Sequence, residues 1–327
     1  MTAGIRTHSS HLMLRTLMRS PDSRPGHSAG PALTTAAVAL LWGTSGGLVR
    51  FLALPAAEIA CLRAAVGAVT LAAVLAVRSR AGRTSAISLP RRHLPSLVLS
   101  GTLLAAHWLT FVMALQRAPI GTVLTGIYVA PVLITVLARR TLNEKVDLGK
   151  RVAVLLAVAG SALVLRPAAA GGWDGILLTL FSAAAYAGSI LASKKTLAAT
   201  SPMMVAAAQL ATTAIILAPI MLVGFVPLAA YDAVVLGVLG AVYSAIAMWA
   251  YLAALRGLST TTSAILLCLE PVSAFITGWL FLGEKPSPLT AVGAVTVLAA
   301  STYATLKWVQ EEKRPELDAP HSEASLK

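Results

Sequence analysis

Charged side chains are scarce in this chain. Asp, Glu, Lys and Arg make up 12% of its 327 positions, about half the share of an ordinary soluble domain. With 57% hydrophobic residues and a mean hydropathy of +0.78, that shortage excludes a water-soluble globule and fixes the membrane class before any motif is read. Acidic residues are scarcer still, 13 against 26 Lys and Arg. A net charge of +13 would point to nucleic acid in a soluble protein, but in a membrane protein basic residues mark the cytoplasmic side, so no nucleic-acid partner is expected. The two cysteines, Cys61 and Cys268, both sit in apolar runs, which excludes a disulfide framework and a cysteine metal cluster. An H-E-x-x-H motif, a phosphate-binding glycine loop and a nucleophile-base arrangement are all lacking, so neither enzymatic chemistry nor a metal or cofactor is expected.

What is present is a series of apolar stretches long enough to cross a hydrocarbon core of about 30 Å. They fall at 32–50, 55–77, 95–116, 119–138, 148–165, 173–192, 203–223, 231–254, 260–281 and 288–306. Links near Leu54 and Pro55, from Arg117 to Pro119 and from Arg256 to Ser259 are short and predict tight antiparallel pairs; Pro119 suits a helix start. By composition residues 1–31 and 307–327 read as charged, unfolded tails and are expected to be cytoplasmic. Most basic residues, among them Arg78, Arg80, Arg91, Arg92, Arg139, Arg140, Arg151, Lys194 and Lys195, lie in the tails or in alternate links. That bias predicts both termini inside and an even number of crossings.

The chain also repeats itself. Shifting 115–144 forward by 140 positions (284 − 144) aligns Leu115 with Leu255, Thr122 with Thr262, Pro131 with Pro271, Val132 with Val272 and Glu144 with Glu284. Bulk hydrophobicity does not reproduce a proline and a glutamate in register. Each repeat holds five crossings, an odd number, so the expected architecture is all-α with ten transmembrane helices in two inverted five-helix repeats, 32–165 and 173–306. Pro131 and Pro271 fall midway along the fourth and ninth helices, where each is expected to break the helix and serve as a gating or binding element; ordinary curvature is the alternative.

Polar residues at membrane depth are the candidate site. Glu270 lies in the middle of the ninth helix and reads either as a substrate-binding or proton-coupling carboxylate or as a structural hydrogen-bonded one; its repeat counterpart is Ala130. Arg63 in the second helix is open to an ion pair with Glu270, a pair with Glu58, or a substrate carboxylate. Glu58 is nearer the helix end and reads as hydrated. His107 is a proton carrier or a neutral imidazole bonded across helices. Trp108, Trp42, Tyr128, Tyr186 and Tyr243 sit at interior depths and are candidates to line a cavity, with about two of the five expected to touch substrate. Trp173, Tyr231, Trp279 and Trp308 read as interfacial belt residues. Small-residue pairs, Gly43 with Gly47, Gly237 with Ala241 and Ala274 with Gly278, predict close helix contacts.

On LLWGTSGG in the first helix, EIACLRAA in the second, and APVLITVLARRTLNE and LEPVSAFITGWLFLGEKPSP in the fourth helix of each half, the chain resembles the drug/metabolite transporter superfamily, specifically its bacterial ten-helix EamA-type exporters. The resemblance covers 33–165 and 173–306. It implies a bacterial inner-membrane protein with cytoplasmic termini, a central cavity, alternating access, and architectural or gating roles for the Pro131/Glu144 and Pro271/Glu284 pairs. The expected function is export of small metabolites, neutral or aromatic amino acids first, with aromatic-amino-acid and threonine/homoserine exporters as functional models. The expected partners are a small-molecule substrate and membrane lipid; proton coupling is open, and the protein is expected as a monomer or loose dimer. The alternatives are export of drugs or lipid-linked compounds, a non-transporting receptor, and a membrane-embedded enzyme.

Overall fold

The computed structural model describes residues 29–50, 52–81, 91–115, 117–118, 120–165, 173–221, 224, 226–282 and 287–317. The expectations for the outer parts of both tails and for Pro119, Arg166, Glu284 and Lys285 lie outside the described residues. Every regular element described is helical. The chain runs through α1 (Gly30–Arg50), α2 (Ala56–Arg80), α3 (Leu94–Leu115), α4a (Ile120–Ile127), α4b (Ala130–Thr141), α5 (Leu148–Leu165), α6 (Trp173–Leu197) and α7 (Pro202–Met221). It continues through α8 (Ala230–Gly257, in three pieces), α9a (Thr260–Leu267), α9b (Glu270–Leu282) and α10 (Pro288–Leu317).

These make ten membrane-spanning helices, counting each broken pair as one crossing. Seven qualify by length and apolarity alone; α1, the interrupted α4 and the 18-residue α5 complete the set. Large apolar side chains such as Val69, Leu155 and Ile215 are 69%, 60% and 72% exposed, a pattern that suits hydrocarbon rather than water. The inner faces close by small residues. Gly160 of α5 and Gly293 of α10 each meet the other's carbonyl, so these two backbones touch. The main neighbours are α3 with α6, α5 with α10, α2 with α7, α1 with α9b and with the last piece of α8, and α4b with α9a.

Four differences from the sequence expectation have physical causes. Helix α10 does not stop at 306 but runs to Leu317, held beyond the membrane by Lys307 against Asp147 at 2.8 Å and Lys150 against Glu311 at 2.5 Å. Trp308 is therefore mid-helix and buried rather than interfacial, whereas Trp173, Tyr231 and Trp279 are exposed at the surface. Helix α8 contains a π-helical stretch at Leu239–Ile246. Its wider turn rotates the helix so that Gly240 packs on Val66 and Arg63 of α2, while Gly237 faces open space and forms no close contact. Glu58 is not hydrated: it is 1% exposed, and its carboxylate accepts the Val226 amide at 3.3 and 3.4 Å.

Candidate functional site

The two interrupted helices define the centre of the molecule. In α4 the break falls at Tyr128–Val129, directly before the Pro131 turn; in α9 it falls at Cys268–Leu269, directly before Glu270 and Pro271. A proline has no amide and its ring clashes with the preceding turn, so both helices restart with proline in their first turn. The restart of α9b puts Glu270 at a helix N-terminus, where the dipole favours a negative charge.

These breaks border a cavity of about 270 Å³. Arg63, His107 and Glu270 face it together with Trp42, Trp108, Tyr128, Tyr186 and Tyr243, so all five interior aromatics reach it. Of the two prolines, Pro131 lines the cavity and Pro271 is buried beside it.

The polar groups are held by specific partners. Arg63 donates from Nε to Ser244 Oγ at 3.0 Å, and its guanidinium lies 4.7 Å from the centroid of Trp108, a cation–π contact that orients the fork. Ser244 belongs to the π-helical stretch of α8 and donates in turn to Leu239 O at 3.0 Å. The same stretch offers the Tyr243 carbonyl to Trp42 Nε1 at 2.9 Å, and the Tyr243 hydroxyl meets Thr44 Oγ1 at 2.9 Å. The π-turn thus fixes one wall of the cavity, in keeping with the use of such turns at functional sites.

Arg63 and Glu270 both line the cavity, yet no ion pair joins them among the described residues. Glu58 is not an Arg63 partner either, being committed to Val226. The backbone of Glu270 lies against Gly43 of α1.

His107 is bonded across helices to α6. Its Nδ1 lies 3.1 Å from the Ser182 carbonyl and 2.8 Å from Ser182 Oγ, and that hydroxyl donates to His107 O at 2.9 Å. A carbonyl only accepts, so Nδ1 carries the hydrogen and Nε2 is the ring nitrogen left for the cavity. The ring stacks on Tyr186 at 4.7 Å.

Sequence reasoning missed Ser182 and Ser244. Serines are frequent in membrane helices, and nothing in the local pattern marks these two. The π-helical register of α8, which brings Ser244 to Arg63, also has no proline to announce it.

A second polar cluster closes one end of the molecule. Glu144, in the link between α4b and α5, accepts from Thr260 N at 2.6 Å and Thr260 Oγ1 at 2.5 Å, and from Thr261 N at 3.3 Å. These are orphan donors of the first turn of α9a. Lys194 of α6 reaches the carbonyls of Leu255 and Leu258 at 2.6 Å each, covering the end of α8 beside it. Asn143, in the left-handed region at φ 53°, makes the reversal that turns Glu144 toward α9a; asparagine tolerates that conformation better than most residues.

A solved crystal structure superposes with a TM-score of 0.74 over 85% of this chain and 98% of the other at 19% identity, a likeness of fold. The threonine/homoserine exporter RhtA of Escherichia coli strain K12 is 28% identical over 240 residues, 69% of this chain and 76% of the relative. The same-named proteins of the O6:H1 and O157:H7 strains match to the same extent. The profile of the EamA-like transporter family matches twice, over residues 30–166 and 173–306. With both halves matched and the cavity formed between them, this chain belongs to the EamA-like transporter family of the drug/metabolite transporter superfamily: it is a multi-pass membrane transporter of small metabolites and not an enzyme.

Proposed function

We propose that the protein exports neutral amino acids, those with aromatic side chains included, from the bacterial cytoplasm across the inner membrane by alternating access. The observation that carries this reading is the pair of opposite charges, Arg63 and Glu270, facing one small aromatic-walled cavity without bonding each other. A zwitterion satisfies both. Its carboxylate takes the guanidinium fork and its ammonium takes the Glu270 carboxylate, while its side chain meets the rings. A cavity of about 270 Å³ lies just below the usual range of drug-sized sites, which favours an amino acid over a bulky drug. The export activity named for the RhtA relatives agrees in kind.

Alternating access rests on two inverted five-helix units, 32–165 and 173–306. The 140-residue register supports them, and so does the packing: exchanging α1–α5 with α6–α10 maps the α3–α6 contact onto α8–α1, and returns α2–α7, α4–α9 and α5–α10 to themselves. With the termini in the cytoplasm, Glu144 and Lys194 lie on the inner side and close it. Cavity residues Val49, Ile59 and Val112 belong to the opposite helix ends, so this arrangement is outward-facing. Glu144 joins the first unit to the second and acts as an inner latch. Glu144→Ala is expected to raise amide hydrogen exchange at Thr260 and Thr261 about fivefold, the order of one lost helix cap; unchanged exchange would remove the latch.

Glu270 also supplies a coupling mechanism. One carboxyl holds either the substrate ammonium or a proton, so a proton arriving from outside releases the amino acid outward. Counterflow screening of amino acids in reconstituted vesicles tests the substrate class, and the same vesicles with an imposed pH gradient test coupling. The expected result is saturable exchange of neutral amino acids that an inward proton gradient accelerates. In Glu270→Gln the residual exchange is expected to ignore the gradient. Exchange of no amino acid rejects the substrate reading, and a gradient response surviving in Glu270→Gln rejects the coupling role.

A further inference from the structure

Away from the central cavity, the face that carries the α4b–α5 link holds two adjoining hollows. The larger, about 490 Å³, is bordered by Thr135, Val136, Arg139, Arg140, Val146 and Arg151. The smaller, about 430 Å³, shares Arg139, Val146 and Arg151 and adds Asn143, Glu144, Lys145 and Asp147. Thr135 and Val136 precede Arg139 and Arg140 by one helical turn, so the larger hollow runs from a basic rim to a wall one turn deeper in the bilayer. Val136 is 47% exposed there.

The rim carries more cations than its acids neutralise. Arg139, Arg140, Lys145 and Arg151 are all exposed. Glu144 is occupied at the start of α9a. Asp147 is bonded to Lys307 at 2.8 Å and accepts the Lys150 amide at 3.0 Å. Partial burial pushes the Asp147 carboxyl up, but these partners outweigh it and hold it below its usual range. Arg151 donates from Nε and Nη2 to Val146 O at 3.3 and 3.2 Å, which fixes its guanidinium against the hollow and leaves Nη1 uncommitted among the described contacts.

We infer that this hollow binds an anionic phospholipid, with the phosphate on Arg139, Arg140 and Arg151 and an acyl chain against Val136. Planar guanidinium forks match phosphate oxygens, and basic pockets beside membrane helices at the cytoplasmic surface are suited to anionic headgroups. The charge bias that orients membrane proteins requires cations only near the surface, as at Arg91 and Arg92, whose short helical turn contains no buried residue. It does not require three guanidinium groups around one cavity with an apolar wall.

The test uses the full-length protein, stripped of lipid in detergent, titrated with dioleoyl phosphatidylglycerol or dioleoyl phosphatidylcholine and read by native mass spectrometry. Phosphatidylglycerol is expected to bind about tenfold more tightly than phosphatidylcholine, and Arg139→Gln/Arg140→Gln to remove about that margin, the order set by losing two surface cations. Arg91→Gln/Arg92→Gln serves as the charge-matched control and is expected to keep it. Val136→Asn leaves the charge of the rim unchanged and is expected to weaken lipid binding as well, which guards against a rim variant that fails to fold. Equal affinity for the two lipids, equal loss in both arginine pairs, or no effect of Val136→Asn would overturn the site. So would displacement by inorganic phosphate at concentrations equal to the lipid's, since it would show that only a phosphate ion is recognised.

Discussion

Arg63→Ala is expected to lower the initial counterflow rate of the best neutral amino acid substrate by about a hundredfold, the order of losing a charge-assisted, water-excluded contact to a carboxylate. The guanidinium is already oriented by Ser244 at 3.0 Å and by the Trp108 ring, so little ordering remains when substrate binds. Arg63→Lys keeps the charge but loses the fork and the stacking plane, and is expected to recover only a small part of the rate. Ser244→Ala removes the orienting hydroxyl while leaving the charge, and a loss of several-fold, smaller than that of Arg63→Ala, is expected. If Arg63→Ala exchanges substrate at the wild-type rate while eluting as a folded protein, Arg63 is structural and the zwitterion reading fails with it.

The second large effect is expected at Gly43. A Cβ there would overlap Ser273 Oγ and the carbonyl of Glu270 and lie 2.9 Å from Ala274 N. Two of these three atoms belong to the α9b backbone and cannot rotate aside, so α1 and α9b must separate. Because the displaced backbone carries Glu270, the site moves with the helix. Gly43→Val is expected to abolish counterflow and to reduce folded yield sharply, measured by size-exclusion chromatography of the detergent extract. Gly237→Val is the matched control: nothing lies within 4 Å of the added carbon, so yield and transport are expected to stay near wild type. Equal yields and rates for the two variants would show that the α1–α9b approach is not constraining.

The individual corrections show what kind of information each needed. The helix breaks in α4 and α9 were legible because proline writes its effect locally. The π-helical stretch in α8 was not, since no local signal accompanies it, and it decided three things together: the Ser244 partner of Arg63, the carbonyl that receives Trp42, and the replacement of Gly237 by Gly240 at the α2 contact. Glu58 and Arg63 sit five residues apart and invited pairing, but the first carboxylate is captured by Val226 from a distant link. The two ion pairs of the α10 extension, through Lys307 and Glu311, likewise depend on side chains more than a hundred residues away. At Glu58 and in α10 a long-range contact decided what the local pattern could not.

By itself the sequence determined the solvent this protein folds in, the number of crossings and the places where two helices must break, because hydrophobic length, charge and proline act through the local chain. It also singled out Arg63, His107 and Glu270, because an ionisable group in hydrocarbon is costly enough to stand out in a sequence this poor in charge. Only the tertiary structure decided that these three and all five interior aromatics share one cavity, that Arg63 and Glu270 line it unpaired, and that Glu144 takes the first amides of α9a. Partnership among groups on different helices is set by how those helices rotate and pack, and the scarcity of charge that made the residues visible carries no record of that rotation.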